Sequence, residues 1–225
     1  MPKVGMEPVR RKALTDAALR TIGQHGSLSV TMSEIAREAG VSAALAHHYF
    51  GSKDRLLTAT MRDLLRQLRR DAVESLGRAR DPRARLSAVI RVNLDPDQFS
   101  PGTVAAWLAF YVDAYRSAET RRLLRVYARR LRSNLLSALK SICPPDDASR
   151  IAEGAAAMID GLYIRQSLAS APLGHGSAAA LVEDYLNGQL ARFLVPPKGP
   201  VRPALVAAVP GMSGAEAISG GRTET

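Results

Sequence analysis

The strongest constraint on the fold is a pair of short helices predicted between residues 31 and 50 and joined by a turn at Gly40. Thr31–Glu34 has the Thr-x-x-Glu spacing of a capping box, and Ser42 can cap a second helix that ends near Phe50. Gly40 supplies the positive φ that such a turn needs. Two helices joined this tightly have the geometry that places the second one in the major groove of DNA. An ordinary helical hairpin with glycine in its turn is the structural alternative.

The outward face of the second helix is suited to nucleic acid. The apolar positions expected to lock the two helices together are Ile35, Ala36, Ala39, Val41 and Leu45. The opposite face would present Ala43, Ala44, His47 and His48, with Tyr49 and Lys53 just beyond. Small side chains let the backbone approach bases closely, histidines reach base edges or phosphates, and tyrosine and lysine suit phosphate oxygens. A merely solvated histidine remains an alternative for His47.

The remaining sequence predicts an all-α protein. Aromatic residues make up only 5% of the chain, and no strand-like alternation of β-branched and aromatic residues persists. Helices are expected from Pro8 to about residue 23, from about 54 to 77, and over 83–94, 103–116, 118–142, 148–170 and 177–194. We therefore predict a three-helix domain over residues 1–55 and a larger helical domain over 56–195. Residues 196–225, rich in Pro, Gly, Ala and Ser, are expected to form a disordered tail.

Composition narrows the class of protein. Cys143 is the only cysteine, which excludes an intrachain disulfide and a thiolate cluster. No stretch has the length of a membrane span and the N-terminus has no apolar core of a signal peptide, so a cytoplasmic protein is expected. The formal net charge is +10, and the acidic excess of residues 144–195 confines the positive charge to the front of the chain. This uneven distribution of charge is compatible with a polyanionic partner, but a generally arginine-rich proteome would also produce the positive charge.

An enzyme is the main alternative from another class. No Ser/His/Asp set, glycine-rich phosphate loop or metal-binding His/Glu spacing is evident among the residues, which include four histidines. We therefore expect no catalytic residues, no metal and no cofactor.

The run 35–42, followed by Leu45, 49–54 and Leu56-Leu57, resembles the N-terminal domain of TetR-type repressors. The resemblance implies that the third helix reads the major groove and that a larger C-terminal domain binds an effector and forms a homodimer. Matched position by position, it implies phosphate contacts at helix starts for Thr31 and Ser42, base contacts for Ala43, Ala44 and His47, and backbone anchoring for Tyr49 and Lys53.

Further blocks are similar to one branch of that family, the repressors of the choline-to-glycine-betaine genes. These blocks are residues 1–6 with Arg10-Arg11, 48–50, 59–63, 106–110 and 159–162. The resemblance implies operator DNA as the partner and choline as the effector. A repressor of an efflux or other metabolic operon, responding to a different small molecule, is the alternative.

Aromatic residues gather between Phe99 and Tyr115. Trp107, Tyr111 and Tyr115 are spaced by four and would share a helix face, with Phe110 beside them. An aromatic stripe at helical spacing is most often part of the hydrophobic core. Tyr163 could face it from another helix, and Asp113 and Asp160 could supply negative charge. Aromatic faces and a carboxylate are what a quaternary ammonium such as choline requires. The candidate ligand site therefore comprises Trp107, Phe110, Tyr111, Asp113, Asp160 and Tyr163.

The last two predicted helices carry broad apolar faces. These faces comprise Ile151, Ala152, Ala155, Ala156, Met158, Ile159 and Leu162, then Leu181, Leu186, Leu190, Phe193 and Leu194. Pairing with their symmetry mates would form a four-helix dimer interface. Burial within the protomer is the alternative for part of both faces.

Overall fold

A computed structural model describes residues 6–168 and 173–194. Within these ranges the chain forms nine α-helices and no strand, which confirms the predicted all-α class. The helices are α1 (Met6–His25), α2 (Met32–Glu38), α3 (Ala43–Phe50), α4 (Lys53–Arg78), α5 (Pro82–Asn93), α6 (Pro101–Asp113), α7 (Ala118–Leu139), α8 (Pro145–Leu168) and α9 (His175–Leu194). The predicted tail, 196–225, lies outside the described residues. None of the described helices is both long and apolar enough to cross a membrane.

Side-chain caps determine where most of these helices begin. A hydroxyl or carboxylate oxygen accepts the backbone N–H of the residue three positions on, a bond that satisfies one of the unpaired donors at a helix start. The capping residues are Thr31, Ser42, Ser52, Asp81, Ser100 and Ser117. Pro82 and Pro101 follow two of these caps in the first helical turn, where the missing N–H costs nothing.

One hydrophobic core runs through all nine helices. It joins fully buried residues of the first helices, such as Leu14 and Ile35, to Ile159 and Leu190 in the last two. The predicted boundary between residues 55 and 56 falls inside α4, which continues unbroken from Lys53 to Arg78. The first three helices therefore share packing with the rest of the described chain.

Helices α1 and α6 cross at two glycines. A Cβ atom placed on Gly23 would lie 2.5 Å from the Cα of Gly102, which is closer than nonbonded atoms can approach. The absence of a side chain at Gly23 is what permits the two backbones to touch. This crossing ties the N-terminal helices to the start of α6.

Helix α6 ends three residues earlier than the sequence suggests. It stops at Asp113, whose carbonyl oxygen accepts the N–H groups of Arg116 and Ser117 and so closes a turn. The Asp113 carboxylate also accepts the Thr120 hydroxyl at 2.6 Å. Tyr115 consequently leaves the helical register and is 87% exposed, so the prediction that it shares a helix face with Trp107 and Tyr111 is wrong.

Candidate DNA-binding surface and effector site

Helices α2 and α3 form a capped pair around a glycine turn. Thr31 and Glu34 make both bonds of the capping box: the Glu34 N–H donates to Thr31 Oγ1 at 3.2 Å, and the Thr31 N–H donates to the Glu34 carboxylate at 2.7 Å. Ser42 Oγ accepts the Leu45 N–H at 3.2 Å and starts α3. Gly40 has φ +66°, as its position in the turn requires. The arrangement predicted between residues 31 and 50 is therefore present.

The packing of α3 differs from the sequence expectation at two positions. Ala46 is fully buried and is followed one turn later by buried Phe50, whereas Leu45 is only half-buried. Ala43, expected on the outward face, is half-buried and packs against the core. The buried stripe of α3 thus follows the 46–50 spacing, which turns Leu45 rather than Ala46 toward the surface.

Most of the predicted DNA contacts lie at the surface. Thr31, Ser42, Ala44, His47 and His48 are exposed, and Ala43, Tyr49 and Lys53 are half-buried. Residues 44, 47 and 48 share one side of α3 by their spacing. His47 Nδ1 lies 3.2 Å from the Gly51 carbonyl oxygen, and the His48 and Tyr49 rings are 5.5 Å apart between centroids.

Two basic side chains secure the end of α3 and the start of α4. The Lys53 ammonium donates to the Leu28 carbonyl at 3.3 Å, which uses one of its three hydrogens. The Arg11 guanidinium lies 4.5 Å from the centroid of the Phe50 ring and donates to the Tyr49 carbonyl oxygen. The role of Arg11 in holding α3 was not predicted, because nothing in its local sequence points to a contact 38 residues away.

Trp107 lies at the centre of an aromatic cluster in the second part of the chain. Its ring centroid is 5.0 Å from that of Tyr127, 6.0 Å from that of Tyr163 and 6.3 Å from that of Tyr111. Trp107 and Tyr163 are each 1% exposed. Tyr127 was missed by sequence reasoning because it stands among the arginines of α7, outside the cluster of aromatic residues near α6.

The Asp160 carboxylate is held by two tyrosines of this cluster. Asp160 Oδ1 lies 3.1 Å from the Tyr111 hydroxyl and 3.4 Å from the Tyr127 hydroxyl, and both can donate to it. Burial raises the pKa of Asp160, and the hydrogen bonds from the two phenols act in the opposite direction. Burial, and then the charge of Asp160, raise the pKa of Tyr111 and of Tyr127, so both phenols stay protonated as donors.

Asn93 fixes the other side of the cluster. Its side-chain oxygen lies 3.3 Å from the Tyr127 hydroxyl, and its backbone carbonyl accepts the Tyr163 hydroxyl. The Asn93 amide nitrogen donates in turn to the Val89 carbonyl at 2.8 Å, which sets the orientation of the side chain. The phenols are therefore positioned by partners on both α5 and α8.

A cavity of about 480 Å³ opens beside Asp160, between α6, α7 and α8. Its lining comprises Tyr111, Val112, Ala114, Tyr115, Arg121, Leu124, Arg125, Tyr127, Ala128 and Asp160. Trp107 packs against Tyr111 and Tyr127 and is not part of this lining. A cavity of this size, with apolar walls and a few polar groups, is suited to a small organic ligand.

The structure brings together four of the six predicted ligand residues. Trp107, Tyr111, Asp160 and Tyr163 form the cluster described above. Phe110 and Asp113 instead line a different cavity of about 350 Å³, beside Lys53 at the start of α4. Phe110 precedes Tyr111 by one residue, and Asp113 follows it by two. The turn of the helix therefore directs Phe110 and Asp113 to a side other than that of Tyr111.

Comparison with known proteins identifies both parts of the chain. Residues 14–60 match the family described as bacterial regulatory proteins, tetR family, and residues 82–191 match the BetI-type transcriptional repressor, C-terminal. A protein of Agrobacterium fabrum named HTH-type transcriptional regulator BetI is 72% identical over 193 residues, which are 86% of this chain and 94% of that protein. A protein of the same name from Rhizobium meliloti is 70% identical over 84% of this chain and 94% of its own length.

Solved structures agree in fold. A putative transcriptional regulator of Pseudomonas aeruginosa PAO1 superimposes with a TM-score of 0.70 at 24% identity, over 83% of this chain and 94% of that one. A putative transcriptional regulator of Saccharomonospora viridis, solved in complex with choline, has a TM-score of 0.68 at 22% identity, over 79% and 95%. At 22–24% sequence identity, the likeness to these two structures shows that this chain shares their fold.

The close relatives confirm the predicted function class. These relatives are transcriptional regulators that match this chain over 94% of their own length, so the chain is a DNA-binding transcriptional repressor rather than an enzyme. Identity of about 70% extends over 84% or more of the chain. The chain belongs to the tetR family of bacterial regulatory proteins and, within it, to the BetI-type transcriptional repressors.

Proposed function

We propose that this repressor binds its operator as a homodimer and controls genes that convert choline to glycine betaine, with choline as its effector. The observation that carries the proposal is the Asp160 carboxylate, which accepts hydrogen bonds from the hydroxyls of Tyr111 and Tyr127 at the wall of a ligand-sized cavity. The Saccharomonospora viridis structure, which shares the fold and contains choline, supports the same ligand class.

The chemistry of the cluster matches a quaternary ammonium group. Such a group cannot donate a hydrogen bond, so a protein recognises it through the negative faces of aromatic rings and through a carboxylate. Tyr111 and Tyr127 line the cavity, and the Trp107 ring packs against both of them. The raised pKa of Asp160 reflects a buried negative charge that a bound cation would stabilise.

Calorimetric titration with choline tests the effector assignment. Asp160→Asn keeps the shape of the side chain but removes its charge, and we expect choline affinity to fall by about tenfold or more, which corresponds to about 1.4 kcal/mol. Asp113→Asn is the matched control, because Asp113 is a carboxylate of the same region that lines another cavity. Equal loss in both variants, or none in Asp160→Asn, would remove Asp160 from the site.

For the DNA contacts, we assign base recognition to the exposed side of α3 and phosphate binding to its surroundings. Ala44, His47 and His48 lie on this side, with half-buried Ala43 and Leu45 at its margin. This side is flanked by four residues whose side chains can donate hydrogen bonds to phosphate oxygens: Thr31, Ser42, Tyr49 and Lys53. DNA binding is thus assigned to residues 1–55, and effector binding and dimerisation to 56–195.

For the homodimer, the exposed parts of α8 and α9 supply the surface. Much of the predicted apolar face is used within the protomer, since Ile151, Ile159 and Leu162 are buried there. What stays exposed is a stripe of small and apolar residues: Ala157, Ile164 and Leu168 on α8, and Ala180, Leu181, Gly188 and Ala191 on α9. Leu168 is 78% and Leu181 45% exposed, which favours burial of this stripe against a second copy.

A further inference from the structure

The proposed effector cavity is open to solvent within the protomer. Its lining includes Val112, which is 67% exposed, and the still more exposed Tyr115. Large apolar side chains exposed beside a ligand site mark a surface that another molecule covers. The attraction of a cation to an aromatic ring or a carboxylate also strengthens when water is excluded. Choline bound to a single protomer would therefore gain only part of the free energy that these groups can supply.

The carboxylate of this cavity lies on the same side of α8 as the proposed dimer surface. Along this side, intervals of three, four and four residues separate Ala157, Asp160, Ile164 and Leu168. At 3.6 residues per turn, these four positions fall within about 80° around the helix axis. Asp160 is half-buried where this side of α8 meets α6 and α7, and the other three residues are exposed. The cavity and the exposed stripe of α8 and α9 therefore adjoin each other.

A homodimer formed through this stripe would bring the second copy to the edge of the cavity. In a two-fold interface the same patch of both protomers is used, and packed helices have axes about 8–10 Å apart. Along the axis of α8, Asp160 is about 4.5 Å from Ala157 and about 6 Å from Ile164. The members of the stripe are small or apolar, so they would exclude water without bringing a positive charge toward the cation.

We propose that the effector site is complete only in the homodimer, where the second protomer covers the opening of the cavity between α6 and α8. This contact encloses choline against Tyr111, Tyr127 and Asp160. Choline binding and dimer formation are then linked, and each strengthens the other by the same factor. The inference rests on the proposed function, because it uses the proposed choline site and the proposed dimer surface.

Calorimetric titration of monomeric variants with choline tests this linkage. Gly188→Gln and Leu181→Arg each disrupt the stripe from α9 and leave every residue of the cavity lining unchanged. We expect a folded monomer to bind choline at least about tenfold more weakly than the wild-type dimer, because the ligand stays in contact with water. Gly77→Gln is the matched control, since an added Cβ meets nothing at Gly77 or at Gly188, and it should stay dimeric with wild-type affinity.

Thiol labelling tests separately whether the second protomer covers the opening. Val112→Cys and Val73→Cys place thiols at two helical positions that are 67% and 63% exposed in the protomer, whereas the native Cys143 is buried. In the dimer, the thiol at position 112 should react with a maleimide at least about tenfold more slowly than the thiol at position 73. Adding Gly188→Gln should remove this difference.

Three results would overturn the inference and leave the choline assignment intact. The first is a monomer that binds choline as tightly as the wild-type dimer. The second is equal labelling of the two thiols in the dimer. The third is a dimeric state of both Gly188→Gln and Leu181→Arg, which would place the interface away from the cavity. A wild-type dimer that binds no choline would instead contradict the proposed function, whatever the labelling shows.

Discussion

In the proposed effector site, the key residue is Asp160. Its pKa is raised because burial disfavours the charged carboxylate more than the hydrogen bonds from Tyr111 and Tyr127 favour it. In the absence of a cation, the folded protein therefore holds the Asp160 proton more tightly than the unfolded chain does. The contribution of this group to folding is present at low pH and is lost as the pH rises through its raised pKa.

The pH dependence of choline binding should be opposite to that of the Asp160 contribution to folding stability. Choline requires the ionised carboxylate, so its affinity should fall as the pH drops through the raised pKa of Asp160, by about tenfold for each further pH unit. Calorimetry on both sides of that pKa measures the effect, together with proton release on binding. Asp160→Asn should show a flat profile. A wild-type profile as flat as that of the variant would contradict the role of this carboxylate.

Lys53, which donates to the Leu28 carbonyl, is the residue for which we propose a phosphate contact. Lys53→Ala should weaken specific and non-specific DNA binding alike, and should reduce the slope of log affinity against log salt by about one unit. Lys140→Ala is the control, because it removes the same charge at the exposed end of α7. Fluorescence anisotropy over a salt series gives both slopes, and equal slopes for the two variants would show that Lys53 makes no phosphate contact.

Sequence reasoning at this scale succeeded where a residue's function follows from its local pattern. Thr31, Ser42 and Gly40 were found because caps and turns depend on neighbours a few positions away. Tyr127 was missed, since its contacts with Trp107 and Asp160 arise from packing of α7 against α6 and α8. The relative burial of Leu45 and Ala46 was also missed, because both are apolar and only the angle of α3 on the core separates them.

Among the elements, α6 connects the proposed effector site to the N-terminal helices. It carries Tyr111 near one end, and at the other end Gly102 touches Gly23 of α1. Its start at Pro101 was predictable from Ser100, Pro101 and Gly102, whereas its end was not. The sequence 114–117 is compatible with a continuing helix, and the turn that replaces it depends on hydrogen bonds to Asp113 and from Arg121.

Gly23→Ala tests the α1–α6 crossing. The new Cβ would overlap the backbone of Gly102, so we expect a loss of stability of about 1–3 kcal/mol, measured by urea denaturation. Gly77→Ala is the matched control, because Gly77 lies in α4 with nothing within 4 Å of an added Cβ. That control should be neutral or stabilising by up to about 1 kcal/mol. Equal stability of the two variants would mean that the helices do not meet at these glycines.

For the molecule as a whole, the dimer assignment depends on how closely α8 and α9 approach a second copy. A Cβ on Gly188 meets nothing within the protomer, so Gly188→Gln should leave folding intact. In a dimer the same side chain would hold the surfaces apart. We expect sedimentation to show monomers for Gly188→Gln and dimers for Gly77→Gln, which has the same substitution in another open helical position. A dimeric Gly188→Gln protein with wild-type affinity would place the interface elsewhere.

Fluorescence-detected binding of the full chain to the DNA upstream of its own gene, with and without choline, tests the central claim most directly. The account predicts that the wild-type protein binds a near-palindromic site as a dimer and that saturating choline weakens this binding. Asp160→Asn should bind the same DNA with wild-type affinity and should respond to choline only at about tenfold higher concentrations. Binding that choline leaves unchanged in the wild-type protein, or changes equally in both proteins, would contradict the account.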